Sequence, residues 1–163
     1  TSSICRGAIE KSAKIILAGN QEELYTFVED FRVKFNQASL NDISRNSSVR
    51  EISKFTIGDK GIPFAVNGAL QYNRFVRELG LQESYPIIED GAKVKILELN
   101  LPNPLRSKIV SYPDGVLPEE FGLQKYVNRD ALFNVGFISP VSSMASAGGM
   151  LTERQNTLES LFD

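Results

Sequence analysis

Lys93-Val-Lys-Ile-Leu-Glu-Leu99 reads as a β-strand, by its β-branched content and its near alternation of polar and apolar residues. Ser107-Lys-Ile-Val-Ser-Tyr112 has the same character and is the natural antiparallel partner. The periodic segments around this pair are mostly helical. The expected class is therefore α+β: a mainly helical domain with a small antiparallel β element.

Upstream, residues 5–18 are spaced for one helical face through Ala8, Ile9, Ala13, Ile16 and Leu17, and Gly19 ends the run. Asn20 then suits an N-cap, and Glu22 and Glu23 fall in the first turn of a second helix, where the helix dipole favours acids. Leu24, Phe27, Val28, Phe31 and Phe35 form its apolar stripe. A short joint makes the two helices an antiparallel pair. Asn41-Asp-Ile-Ser-Arg-Asn-Ser-Ser48 is turn-rich. Ile52 to Ile57 alternates like a short strand, closed by the turn Gly58-Asp-Lys-Gly61. Pro63 opens a third helix over about 63–79, ended by Gly80. Downstream of the strand pair, a last helix is expected from about 128 to 146, kinked or broken by Pro140. Gly148-Gly149 marks a hinge before the C-terminal stretch. No internal repeat is visible.

The 163 residues suit one domain, and a hydrophobic share of 42% supplies a core. No apolar run of about 18 residues occurs, so no membrane span is expected. Thr1-Ser-Ser-Ile-Cys5 has neither an initiator Met nor a signal-peptide layout, as expected of a piece of a longer polypeptide or of a chain trimmed at its ends. The single cysteine forms no internal disulfide, which fits a reducing compartment, and with no histidine a zinc site is not expected. The net charge of −2 divides into +2 over residues 1–80 (11 basic, 9 acidic) and −4 over residues 81–163 (7 basic, 11 acidic). Any nucleic-acid contact must therefore be local.

Signs of catalysis are scarce. The usual general base, histidine, is missing. The paired carboxylates of two-metal chemistry are not patterned either. Glu22/Glu23, Asp59, Glu89/Asp90 and Glu119/Glu120 read as helix starts and turns. Cys5 has no visible activating base.

Binding residues are easier to nominate. Arg45-Asn-Ser-Ser-Val-Arg50, continuing to Lys54 and Lys60, offers hydroxyls and cations suited to phosphates; a solvated loop accounts for the same letters. Tyr72-Asn73-Arg74 with Arg77 places two cations on one face of the third helix, the alternative being a surface helix with Tyr72 packed inward. Lys93 and Lys95, with Arg106 and Lys108, decorate the strand pair. At the C-terminus, Gln155, Leu158, Leu161 and Phe162 stand at positions 1, 4, 7 and 8 of a short peptide, and one tight helical turn gathers the three apolar ones. That is the spacing of sliding-clamp-binding peptides. The alternative is a terminal helix packed back on the domain.

These pieces resemble, nearly end to end, the thumb region and C-terminus of T-even-type bacteriophage family B DNA polymerases. Ser2-Ser3 before an Ala/Lys-rich helix resembles the palm-to-thumb entry. Glu22-Glu23-Leu24 with Phe27, Phe31 and Phe35 is similar to the second helix. Ser47-Ser48-Val49 leading to Ile52-Ser-Lys54-Phe55 resembles the serine-rich turn and Lys-aromatic segment. Pro63-Phe64 with Gly68-Ala-Leu-Gln-Tyr72-Asn73-Arg74 carries the most specific likeness. Gly91 with Lys93-Val-Lys-Ile-Leu97, then Phe133, Phe137 and Pro140, and finally the terminal peptide complete it. Departures are Val135 and Ser139, near which related chains carry lysines, and the end at Asp163, where related tails reach another aromatic residue.

The resemblance implies a thumb-like domain over residues 1–147, joined to a palm near residues 1–5, and a flexible tail over 148–163 that holds the clamp peptide. It implies a part of a DNA-directed DNA polymerase that is itself inactive, the catalytic carboxylates and their Mg2+ lying in the missing palm. Its partners are expected to be primer–template duplex, a sliding clamp and the rest of the polymerase, in the cytoplasm of a bacterial host. Arg45, Ser47, Ser48, Arg50, Lys54, Lys60, Tyr72, Asn73 and Arg74 are the expected duplex contacts; Gln155, Leu158, Leu161 and Phe162 are the expected clamp contacts. The rival readings are a stand-alone clamp-binding adaptor and a plain structural domain.

Overall fold

In the computed structural model, which describes residues 1–113 and 115–154, α1 spans Ser3–Ala18 and α2 spans Gln21–Gln37. Gly19, at φ 72°, lets its own N–H return to the carbonyls of Ile15 and Ile16, a left-handed C-cap that a residue with a Cβ resists. Asn20 then caps α2, its side-chain oxygen accepting the Glu23 N–H at 3.1 Å. Leu24, Val28, Phe31 and Phe35 point inward as the spacing predicts. Each is worth about 1.5–3 kcal/mol on burial. The two phenylalanines of this stripe meet Phe133 and Phe137 near the far end of the chain: the Phe31 and Phe137 rings lie edge to face at 4.6 Å, and Phe35 and Phe133 do so at 5.2 Å.

Phe133 and Phe137 lie on one continuous helical stretch. It comprises α5 (Arg129–Phe133), a π-helical turn (Asn134–Ile138) and α6 (Ser139–Ala147). Pro140 has no N–H to close the helical ladder, and the turn before it widens instead of breaking. Arg129 extends back to donate to the Phe35 and Ala38 carbonyls at 3.1 and 2.9 Å, capping the C-terminal end of α2.

The middle of the chain forms a three-stranded antiparallel sheet in the order β1-β2-β3: Arg45–Ser48, Lys93–Glu98 and Ile109–Pro113. β2 and β3 are the two expected strands, paired Ile96 to Ser111 and Glu98 to Ile109. β1 corrects the sequence reading. The strand is not Ile52 to Ile57, of which Ile52–Lys54 forms a 3-10 turn, but the polar stretch before it. Asn and Ser are poor strand formers, so the open edge of β2, rather than intrinsic propensity, fixes β1. The segment expected to be all turn also contains α3, Leu40–Ile43, capped by the Ser39 hydroxyl.

Helix α4 (Phe64–Glu78) covers one sheet face, where the expected third helix lies. It approaches β3 closely at Gly68. A Cβ built there would stand 2.3 Å from Ser111 Oγ and 2.5 Å from Ser111 N. Ser111 in turn donates to the Ala65 carbonyl at 2.9 Å. The opposite sheet face turns toward α3 and α5: the buried Tyr112 hydroxyl donates to Asn41 Oδ1 at 2.7 Å. Core therefore lies on both sides of the sheet.

The Gly148-Gly149 hinge does not send the chain away from the domain at once. Met150 is buried, and the backbone of Leu151 is held by Gln21 of α2. The described domain thus continues past residue 147 to Arg154.

Candidate nucleic-acid interface

The rim where β1 meets β2 carries an exposed Lys93 and a half-buried Lys95. Antiparallel register sets Ser48 opposite Lys93 and Asn46 opposite Lys95. Directly opposed residues share a sheet face, so a hydroxyl and an amide are interleaved with two lysines. Lys95 Nζ donates to Asn46 Oδ1 at 2.9 Å, which fixes its ammonium over β1. Asn46, Ser47, Ser48, Lys93, Val94, Lys95 and Gly115 line an open recess of ≈ 480 Å³. Such a surface offers cations and small donors to phosphate oxygens.

Pairing continues beyond β1. Val49 N–H donates to the Ala92 carbonyl at 2.9 Å, and Gly91 N–H returns to the Val49 carbonyl at 2.7 Å. The chain then turns sharply at Glu51, which sits at φ 58°. That strained position is held by the Asp90 carboxylate, which accepts the Glu51 N–H at 2.6 Å. Arg50 and Lys54 flank this turn and Lys60 lies on the next one, which Thr56 and Asp59 close, and all three are exposed. Among the described residues, Lys54 pairs with Glu51 at 3.1 Å, an ion pair whose side chains are 64% and 63% exposed and which contributes little.

The other expected contacts are drawn inward in this chain. Tyr72 is 1% exposed, its ring packed against Phe121 at 5.4 Å. Asn73 is buried and pairs with Ile88 in both directions: its amide donates to the Ile88 carbonyl at 2.9 Å and accepts the Ile88 N–H at 2.7 Å. Arg74 is half-buried, donating to Gln71, to the Leu105 carbonyl and, at 2.9 Å, to Glu78. On the α4 face of the sheet, the Arg45 guanidinium bonds Glu98 at 3.1 Å and lies 5.4 Å from the Phe64 ring centre. The physical reason is shared. α4 is clasped between β3 and the 81–91 loop, so Tyr72 and Asn73 must face neighbours, and each guanidinium satisfies a partner there. Ser47 is half-buried.

Sequence spacing brought Ser48, Arg50, Lys54 and Lys60 to the surface side by side in the chain. It did not reveal that Lys93 and Lys95 join Ser48 and Asn46, because register between strands is not written in either strand alone. Arg77, beside Arg74, lines a second shallow groove with Phe55, Ile57, Ile87, Glu89 and Asp90, where acids offset its charge. Gln155, Leu158, Leu161 and Phe162 lie outside the described residues.

Two buried groups have shifted acidities. Burial pushes the Cys5 thiol above its ordinary 9.0, against a smaller opposing effect of Ser2. Burial likewise raises the Tyr112 phenol above 10.0. Neither group has the depressed pKa of an activated nucleophile. Among the described residues, no three His, Cys, Asp or Glu side chains are gathered as a metal site requires, and no helix is long and apolar enough to cross a membrane.

No family model matches the chain. Direct similarity to curated proteins is nonetheless clear. The DNA-directed DNA polymerase of Enterobacteria phage T4 is 30% identical over 170 aligned residues, covering 99% of this chain. That of Escherichia phage RB69 is 27% identical over 135 residues, covering 79%. The chain spans only 18% and 15% of the lengths of these two proteins. Along nearly all of its residues, then, the chain is similar to a part of the phage DNA-directed DNA polymerases.

Proposed function

We propose that the chain is the thumb portion of a replicative DNA-directed DNA polymerase, which grips primer–template duplex and tethers the enzyme to a sliding clamp. The observation that carries this reading is the similarity, over 99% of the chain, to a stretch that amounts to 18% of a phage DNA-directed DNA polymerase. The cations of the β1–β2 rim and the following turns support it. They are arranged for backbone contact, which gives affinity without sequence preference.

In this reading the chain performs no chemistry. Catalytic carboxylates and their Mg2+ belong to the rest of the polymerase, in the cytoplasm of a bacterial host. The residues here hold the duplex: Ser48, Arg50, Lys54 and Lys60, joined by Lys93 and Lys95. A groove between α1 and α2 is lined by Ile4, Phe27 and Val33 with Lys11, Asp30 and Lys34 among them, and Val33 is 58% exposed there; apolar surface of this kind, which a larger polypeptide would cover, supports a thumb over a stand-alone adaptor. Gln155, Leu158, Leu161 and Phe162 are proposed to engage the clamp, and two weak attachments on one molecule raise effective concentration.

The test is duplex affinity by fluorescence anisotropy across a salt series. Affinity should fall steeply with salt, and the triple variant Arg50→Ala, Lys54→Ala, Lys60→Ala should flatten that slope by about three phosphate contacts. A salt-independent signal would sink the duplex reading. For the tether, equal clamp binding by the wild type and by a Leu158→Ala, Phe162→Ala double variant would remove the terminal peptide from the mechanism.

A further inference from the structure

After Gly149 the backbone doubles back and runs along the outside of α2, held by a row of polar contacts that the hydrophobic core does not require. Gln21 grips Leu151 in both directions: its amide donates to the Leu151 carbonyl at 2.6 Å and accepts the Leu151 N–H at 2.8 Å. The Thr152 hydroxyl meets Ser142 of α6 at 3.0 Å. Glu153 accepts from Arg32 at 2.6 Å. Arg154 donates to Glu22 at 2.9 Å and to Glu29 at 3.4 Å, with its guanidinium 4.7 Å from the Tyr25 ring centre. Glu22, Tyr25, Glu29 and Arg32 follow at steps of three and four, so one stripe of α2 receives Glu153 and Arg154.

We propose that Met150–Arg154 form a charge-held strap on α2, whose release lengthens the reach of the residues beginning at Gln155. The fastening is built to open. Its ion pairs are largely exposed: Arg154 is 50% and Glu22 72% accessible in their side chains. Pairs of this kind are weak and screened by salt. Only Met150 adds apolar burial. Each residue released adds up to roughly 3.5 Å of span. The strap itself stands on the contacts above; its consequence for clamp tethering rests on the proposed function.

Trypsin gives a direct reading, because it must take the Arg154 guanidinium into its own pocket to cut before Gln155. Cleavage after Lys60, on an exposed turn, serves as the internal control. In the full 163-residue chain at low salt, the Glu22→Gln, Glu29→Gln variant should be cut after Arg154 at least fivefold faster than the wild type, relative to that control. Added salt should bring the wild type up to the rate of the variant. Hydrogen exchange at the Leu151 amide should be slowed in the wild type and lose that protection in Gln21→Ala. Equal cleavage of the two chains at low salt, or a Leu151 amide that exchanges at free-peptide rates in the wild type, overturns the strap. Clamp binding is read separately: a strap that opens in a chain that binds no clamp counts against the tether alone, and unchanged cleavage beside intact clamp binding removes the strap alone.

Discussion

The segment Tyr72-Asn73-Arg74 and the segment Ser48 to Lys60 were both candidates for gripping a duplex, and the structure treats them in opposite ways. The first has the more distinctive letters and is used for architecture: a buried ring, an amide clamping a loop, and a guanidinium engaged by Gln71, Glu78 and a backbone carbonyl. The second is a bland polar stretch and keeps its cations exposed. Distinctiveness in a sequence measures how strongly a position is constrained, and packing constrains at least as hard as binding. A phosphate-contacting loop needs only charge and reach, which many sequences supply.

That contrast makes separable predictions, the α4 side moving stability and the loop side moving affinity. Gly68→Ala should have the largest effect. Its Cβ would collide with the Ser111 backbone, so chemical denaturation should show a loss of about 3 kcal/mol or more. Asn73→Ala follows, at about 2–3 kcal/mol, because it strands both polar groups of buried Ile88. Refolded Asn73→Ala protein should still bind duplex nearly as the wild type does; unchanged stability with lost affinity would reverse the comparison. The triple Arg50, Lys54, Lys60 variant should show the mirror image, roughly tenfold or more weaker duplex binding with stability within about 0.5 kcal/mol per site.

The smallest expected effect is a change in pH dependence, read in alkali. Burial raises the Tyr112 phenol above 10.0, so the folded chain keeps its proton at pH values where the unfolded chain has begun to lose it. The contribution is complete below pH 10 and disappears as pH rises through the folded-state value. Tyr112→Phe should lower stability at neutral pH by about 1 kcal/mol, through the lost hydrogen bond to Asn41, yet show a shallower decline above pH 10 in denaturation monitored against pH.

The helix spans were legible because their signals are local, but the face of α1 was not: Leu17, expected inward, is 88% exposed, while Cys5, Ser12 and Ile15 are buried. Asn20 with Glu23, the stripe Leu24 to Phe35 and the positive-φ Gly19 each lie within one or two turns of what they specify. The β2–β3 pair was legible for its β-branched content. β1 was not, since Arg45-Asn-Ser-Ser48 becomes a strand only when β2 offers an edge, and the Ile52 alternation was misleading because Asp90, distant in sequence, fixes the turn at Glu51. For the site, the exposed half could be read from charge and loop chemistry. The inward turn of Tyr72 was only one of two readings, and the clasping of Asn73 by Ile88 depends on a loop whose path no short window contains.

The paired hydrogen bonds between Asn73 and Ile88 have one more consequence. A side-chain amide that both gives to and takes from a backbone reproduces a single rung of a β-ladder, so α4 carries a pin that sets where the loop must meet it. Residues 81–87 join the helix end to that pin, with Leu81, Tyr85 and Ile87 resting on the core, while Ile88 to Lys93 are counted from it toward β2. Lengthening the exposed part of this joint, at Gln82 to Ser84, costs loop entropy and the local turn bonds. Inserting a residue between Ile88 and Lys93 would shift Asp90 from Glu51 and Lys93 from Ser48 together. The cation rim is thus indexed to an interior asparagine, and where the loop changes length decides whether the surface keeps its pattern.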